Sequence, residues 1–373
     1  MISDAVIEPL VSVLMPVRNE ERYVTAAIRS VLDQDVPLEL LVIDGRSTDR
    51  TVEVVRQLAD PRVRVLDNHG RTIPAALNLG LRHARAGFVA RIDAHARVSA
   101  DYLPRGIAAL QADPRVAGVG GLRHGIADTA RGKAIGLVLS SRFGVGNSIN
   151  HYADRAQDTD HASFGVYRAS VAREVGGWDE SLTVNEDVDF DHRIRAQGHR
   201  IRFEPAMGIF WQVRETLRDF GRQYRRYGRG KAGMVRRNGP SAVRARHLAA
   251  PALVGTLVAA GVAGVSGHPR VAAALSAPYA AAIAVATALC MRSESRDPGV
   301  RAGEVAAAFA TMHVSWGVGF LEGLMGRKPV AASGRDPRPG GRAAGRIGVS
   351  RRSTCRPCVS TRSRRPSRAW IPR

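Results

Sequence analysis

Apolar positions in the first third of the chain follow two alternating rhythms. Val11-Ser-Val-Leu-Met-Pro-Val17 and Leu38-Glu-Leu-Leu-Val-Ile-Asp44 are short, nearly continuous apolar runs, the pattern of strands buried on both faces. Between them, Val24, Ala27, Ile28, Val31 and Leu32 fall on one face of a helix expected over Glu20–Leu32. The rhythm then repeats. Strands are expected at Val63–Leu66, Phe88–Asp93 and Val116–Gly121, and helices at Thr51–Leu58, Pro74–Ala86 and Asp101–Ala112. Gly45 permits a turn, and Ser47-Thr48-Asp49 offers capping side chains before Thr51. Such alternation implies an α/β fold with a doubly wound, mainly parallel sheet, whose ligands gather at the carboxyl ends of the strands.

Those strand ends carry polar groups: Asn19 and Glu20 after the first strand, Asp44 after the second, Asp93 and His95 after the fourth. Each has an ordinary reading. Asn19 could cap a helix, Asp44 could stabilise the turn before Ser47, and Asp93 and His95 could sit in a surface loop. The sharper reading follows from strand alternation, which points Asp93 and His95 the same way. One carboxylate and one imidazole could hold a divalent cation against a diphosphate, Mg²⁺ or Mn²⁺, with the imidazole favouring Mn²⁺. No G-x-G-x-x-G follows the first strand and there is no P-loop, so a nucleotide would rest on side chains and a metal ion. Further on come Val175-Gly-Gly-Trp-Asp-Glu180 and Asn185-Glu-Asp-Val-Asp-Phe190. Glu186, Asp187 and Asp189 suit a helix start electrostatically. A carboxylate there could equally take the proton from an attacking hydroxyl.

Charge changes the picture only once it is located. The net charge is +21, but the tail from Arg327 onward holds fourteen Arg or Lys and one Asp. Much of the remainder is arginine between Arg214 and Arg246. Neither zone has the interleaved aromatics of a single-strand binding platform, so nucleic acid is not the expected partner, and anionic lipid headgroups fit better. Leu248–Pro269 and Val271–Met291 lack Asp, Glu, Lys and Arg, and each is of membrane-spanning length. Val305–Leu321 is a shorter, third apolar run. The expected domains are therefore residues 1–235, a catalytic domain with an interfacial basic helix near 214–235; 246–326, two to three membrane helices; and 327–373, a disordered Arg-rich tail. The positive-inside rule places the catalytic domain in the cytoplasm of a multi-pass protein. Three cysteines are too few for a disulfide framework, so a reducing compartment is expected, with Cys355 and Cys358 paired by chance in a biased tail. Met1–Leu10 lacks the features of a signal peptide.

Over about residues 10–230 these motifs, in this order, resemble the GT-A-fold glycosyltransferases of family 2. The resemblance implies that Pro16, Asn19, Glu20 and Asp44 line the pocket for the uracil and ribose of a UDP-sugar. Arg71, ahead of the third helix, either approaches phosphate or is solvated. Asp93 and His95 stand where the family has its metal-binding D-x-D, with His replacing the second Asp. Asp187 matches the general base, and Trp178, Asp179 and Glu186 match the acceptor side. Gln223, Arg226 and Tyr227 stand where processive members carry Q-x-x-R-W, and the Tyr makes processive synthesis less expected. Phe143-Gly-Val-Gly-Asn147 and His313-Val-Ser-Trp-Gly-Val-Gly-Phe320 resemble the succinoglycan-type chain-extending membrane glucosyltransferases. The implied activity is metal-dependent, inverting transfer of a sugar from a nucleotide-sugar donor, a UDP-hexose, to a lipid-linked saccharide in cell-surface polysaccharide or glycolipid synthesis. The alternative is a non-catalytic nucleotide-sugar-binding membrane scaffold with a decayed site.

Overall fold

The structure, a computed structural model, describes residues 8–182, 184–239, 245–292 and 297–327. Arg296, Cys355, Cys358 and all of the tail beyond Arg327 lie outside those residues. The described strands are β1 (Val11–Val17), β2 (Leu38–Asp44), β3 (Val63–Asp67), β4 (Phe88–Arg91), β5 (Ala96–Val98), β6 (Val116–Ile126), β7 (Gln157–Thr159), β8 (Val166–Arg168) and β9 (Arg200–Gln212). They form one sheet in the order β3-β2-β1-β4-β8-β6-β9-β5, with β7 also pairing β9. The β3-β2-β1-β4 half is parallel. An antiparallel β8 joins it to the parallel pair β6–β9.

Strand alternation explains the continuous apolar runs. In β1, Val11, Val13, Met15 and Val17 enter one core and Leu14 enters the other, beside Leu41 and Ile43 of β2. Helices cover both faces: α1 (Val24–Leu32), α2 (Thr51–Gln57), α3 (Ile73–His83), α4 (Tyr102–Ala112), α5 (Ala130–Leu139), α6 (Arg142–Val145), α7 (Ala169–Glu174) and α8 (Glu186–Ala196). This is the α/β arrangement expected from the sequence.

Several boundaries differ from expectation, and three of them have a clear physical reason. Helix α1 begins at Val24, not Glu20, because Glu20 and Glu21 donate their amides sideways to Thr51 Oγ1 (2.8 Å) and Asp49 Oδ2 (3.2 Å). Strand β4 stops at Arg91, and the chain turns with Ala96 N bonded to the Asp93 carbonyl (3.0 Å). Strict alternation therefore does not reach Asp93 and His95. Strand β6 continues past Gly121 to Ile126 because β9 runs alongside it. Its register shifts at Gly121, where any side chain would strike the Met207 carbonyl.

Four long helices complete the described chain: α9 (Leu217–Asn238), α10 (Ala245–Val265), α11 (Pro269–Met291) and α12 (Ala302–Leu324). Within α10 and α11, His247–Val265 and Pro269–Met291 are long and apolar enough to cross a membrane, and most of their surface faces outward. Helix α12, the third apolar run, instead packs along the Arg-rich α9. The seam is made of glycines: a side chain at Gly228 would collide with the Trp316 carbonyl, and one at Gly319 with that of Arg225. This close approach lets the buried Glu322 of α12 bind Arg225, Arg229 and Arg327, with Arg229 Nε at 2.7 Å. Arg225 and Arg229 hold the Glu322 carboxyl down at about 2, despite its burial.

Candidate active site

Two loops at the carboxyl ends of β1 and β2 are stitched together. Asn19 adopts a left-handed backbone (φ 59°). That turn aims its Oδ1 at the Thr48 amide (2.7 Å), while its own amide donates to Ser47 Oγ (3.0 Å). Asp44 is buried and accepts from the Ser47 hydroxyl (2.6 Å) and amide (3.1 Å), so it stabilises the turn as its ordinary reading proposed. Pro16 lies in β1 opposite Ile43. The Glu20 carboxylate faces His95 at 3.5 Å. Arg71 is exposed, with a left-handed backbone (φ 56°), one residue before Thr72 caps α3.

Beside these loops, at the end of β4, lies an ionic cluster centred on Arg91, the last residue of an otherwise apolar strand. Its Nε and Nη2 donate to the two oxygens of Asp93 (3.0 and 3.3 Å), and its Nη1 donates to Glu186 Oε1 (3.0 Å). Asp187 Oδ2 lies 4.0 Å from the same guanidinium. Asn185, again left-handed (φ 61°), sets the start of α8 so that Glu186 and Asp187 fall in its first turn. One helical turn separates Asp187 from Asp191, which places both on one face. His161 fits between them, with Nδ1 at 2.7 Å from Asp191 and Nε2 at 3.7 Å from Asp187. Asp191 also accepts from the Ala162 amide (2.8 Å) and the Tyr167 hydroxyl (3.0 Å), which fixes the imidazole's orientation.

Burial opposes every charge in this cluster, and the partners decide the outcome. For Asp187, the charges of His161 and Arg91 outweigh burial and hold its carboxyl below the usual range. For His161, Asp187 and Asp191 outweigh burial and raise the imidazole above its ordinary value. For Glu186, burial prevails over Arg91, with Asp187 adding repulsion, and its carboxyl is pushed up. The side chain of Asp187 is 34% exposed, against 14% for Asp93, 8% for Glu186 and 0% for Asp191. Asp187 is thus the open carboxylate of the four.

The other sequence-selected residues divide between packing and the α9 side. Trp178 is 3% exposed and stacks on Phe190 (4.2 Å), and Asn78 pins its backbone (2.8 Å), so its ring packs the core. Asp179 reaches α9 through Arg237 (2.8 Å). Gln223 Nε2 donates to the Tyr227 hydroxyl (2.9 Å), and the Arg226 guanidinium stands 5.9 Å from the Tyr227 ring. Asn185 donates to the Tyr227 carbonyl (3.4 Å), tying the start of α8 to α9. Phe143 and His313, from the two succinoglycan-type stretches, come into contact: His313 Nε2 lies 3.1 Å from the Phe143 carbonyl. Sequence reasoning missed Arg91 and His161. A lone arginine in a buried strand was a usable signal for the first, whereas His161 is revealed only by packing.

Residues 12–176 match the model of the family described as Glycosyl transferase family 2. The succinoglycan biosynthesis protein ExoA of Rhizobium meliloti (strain 1021) is 32% identical over 241 residues, which is 62% of this chain and 72% of ExoA. The chain belongs to glycosyltransferase family 2. A second relative from Methanococcus voltae, a dolichyl N-acetyl-alpha-D-glucosaminyl phosphate 3-beta-D-2,3-diacetamido-2,3-dideoxy-beta-D-glucuronosyltransferase, is 26% identical, covering 61% of this chain and 74% of the relative. The mannosyltransferase PcManGT of Pyrobaculum calidifontis, solved in complex with GDP-Man and Mn²⁺, shares the fold, with a TM-score of 0.55. It is 21% identical, with 87% of this chain and 89% of that one covered.

This family 2 chain has no cluster of three His, Cys, Asp or Glu metal donors among the described residues. Asp93 and His95 offer two. Arg91 occupies one lone pair on each Asp93 oxygen and leaves the others free. His95 feels burial first, but Glu20 and Asp93 raise its pKa, so a metal competes with a proton there. Such a pair suits a cation that takes its remaining oxygens from a substrate diphosphate. Away from the cluster, an open apolar groove of about 680 Å³ lies between α6 and α11, lined by Phe143, Ala282, Val285 and Leu289 among others.

Proposed function

We propose that this family 2 glycosyltransferase inverts the anomeric centre of a nucleotide sugar, a UDP-hexose, as it passes the sugar to a lipid-linked saccharide. The observation that carries this reading is the open Asp187 carboxylate, ionised below its ordinary range and braced by His161 and Arg91 at the ends of the strands. An acceptor hydroxyl resting on Asp187 loses its proton there as its oxygen attacks from behind the leaving diphosphate. His161, held by Asp191, steadies the charge that Asp187 carries before that transfer. Arg91 keeps Asp93 and Glu186 in place and shields Asp187 from both. The stitched loops at Asn19 and Asp44, with Pro16, Glu20 and Arg71, form the donor side, and Gln223, Arg226 and Tyr227 of α9 form the acceptor side. Asp93 and His95 would hold Mn²⁺ or Mg²⁺, which would supply charge compensation for the diphosphate.

The relative acting on a dolichyl phosphate-linked sugar and the succinoglycan relative support a lipid-linked acceptor in polysaccharide synthesis. Two apolar helices support a membrane setting, with α10 and α11 as spans, α9 near the interface and the catalytic domain in the cytoplasm. Helix α12, sealed against α9, is read as the brace of the catalytic domain.

The test offers a panel of UDP-sugars and a lipid-linked acceptor to the membrane-inserted protein, with and without Mn²⁺, and follows UDP release. Metal-dependent release with one donor supports the reading. The Arg91 grip on Asp93 favours one alternative, a nucleotide-sugar-binding scaffold without turnover. Donor binding with no release from any sugar would establish that alternative.

A further inference from the structure

We infer that Arg123 binds a phosphate oxyanion of the acceptor. The inference rests on the lipid-linked-acceptor reading above. Several other arginines in the catalytic domain are satisfied by local partners. Arg91 serves three carboxylates. Arg193 bonds Asp189 and the carbonyls of Val175 and Gly177. Arg168 bonds the carbonyls of Val116, Leu110 and Asp113.

Arg123 differs. Among the described residues it has no hydrogen bond or ion pair, although its Nε is shut off from solvent. It is held by aromatic rings instead: its guanidinium carbon lies 4.2 Å from the Trp211 ring centre and 5.8 Å from that of Phe164. The extension of β6 beyond Gly121 puts it there. Arg123 pairs with Ile209, and Trp211 follows two residues later in β9. Stacking restrains the guanidinium plane yet satisfies none of its five N–H donors. An oxyanion would satisfy several at once, because a planar fork matches phosphate. The Nε of Arg226 on α9 is enclosed without a partner as well, as is that of Arg195 near the far end of α8.

The link between phosphate and hydroxyl in one molecule, more than strand order, selects the acceptor as the source of that phosphate. The donor loops at Asn19 and Asp44 end β1 and β2, whereas Arg123 is on β6, beyond β4 and β8 in the sheet order, and its partner Trp211 pairs with Ala96 of β5. Its charge is nevertheless felt at the Asp187 carboxyl and at the Tyr224 phenol of α9. A lipid-linked saccharide carries its phosphate on the same molecule as the hydroxyl that Asp187 must deprotonate. A cation serving the first therefore belongs beside the second.

The test uses the full-length protein in detergent, with initial rates measured against acceptor and donor separately for wild type, Arg123→Met and Arg123→Lys. Binding of a short-chain prenyl phosphate and of the matching prenyl alcohol is measured alongside. Loss of a charge-assisted contact raises the acceptor KM of Arg123→Met on the order of tenfold or more. Arg123→Lys recovers part of that loss, and the donor KM stays within about twofold in both. Wild type should prefer the phosphate over the alcohol, and Arg123→Met should lose the preference. An unchanged acceptor KM, or a rise in donor KM in its place, overturns the inference. If wild type itself transfers nothing to any lipid-linked acceptor yet still prefers prenyl phosphate through Arg123, the functional reading fails and the oxyanion site stands.

Discussion

The two walls of this active site are made by different means. On the wall at β1 and β2, Asn19, Asp44, Ser47 and Thr48 exchange hydrogen bonds between two neighbouring loops. On the wall at β4 and α8, Arg91 and His161 are set against Asp93, Glu186, Asp187 and Asp191, and Arg91 meets Glu186 across 95 residues of sequence. The first wall is a mould whose shape depends on backbone turns. The second is an assembly of charges in which each member's ionisation depends on the others. A mould suits recognition of a fixed shape, and a charge assembly with one open carboxylate suits movement of a proton.

Four experiments sharpen or break this contrast. The largest effect is expected for Asp187→Asn, which keeps the shape and removes the proton acceptor. Transfer should fall by roughly 10²–10⁴-fold, while equilibrium dialysis shows unchanged donor affinity. Equal loss of donor binding would mean that the two walls are not separable. Next comes Arg91→Met, which leaves buried carboxylates unpaired and should cost about 3–5 kcal/mol in chemical denaturation.

A smaller effect appears in the pH dependence of His161→Gln. The folded pKa of His161 lies above its ordinary 6.5, so its contribution to stability is full below pH 6.5 and is lost as pH rises through the folded value. Asp187 behaves oppositely: its contribution is full above its ordinary 3.8 and is lost only as pH falls below that. The difference in melting temperature between wild type and His161→Gln should therefore shrink above pH 6.5. The smallest effect is Asn19→Ala, at about 1 kcal/mol, with a melting difference that is flat over the same pH range. A pH-dependent Asn19→Ala would erase the distinction between mould and charge assembly.

The same contrast governs what could be read in the sequence. The parallel half of the sheet announces itself because each strand is a local apolar run and each helix a local repeat. Asn19 and Asp44 were visible because they end such runs. Strands β8 and β9 have no comparable signature, since their partners in the sheet come from far away in the chain. His161 was missed for that reason, and Arg123 because β6 was expected to stop at Gly121. Trp178 looked like an acceptor-side residue beside Asp179, but packing on Phe190 turned its ring inward. The run Val305–Leu321 resembled a third span by composition. Glycines that look neutral in a hydropathy profile allow α12 to lie against α9 instead.

That seam sets an order of events in time. Glu322 lies 97 residues beyond Arg225, and the two apolar helices are made in between. A ribosome makes the whole acidic cluster, and then both apolar helices, before the residue that braces α9 exists. The helix carrying Gln223, Arg226 and Tyr227 thus acquires its brace last, after the segments suited to lipid have been made. A chain that ended after α11 would possess Asp187 and its partners, but α9 would lack the carboxylate that braces it.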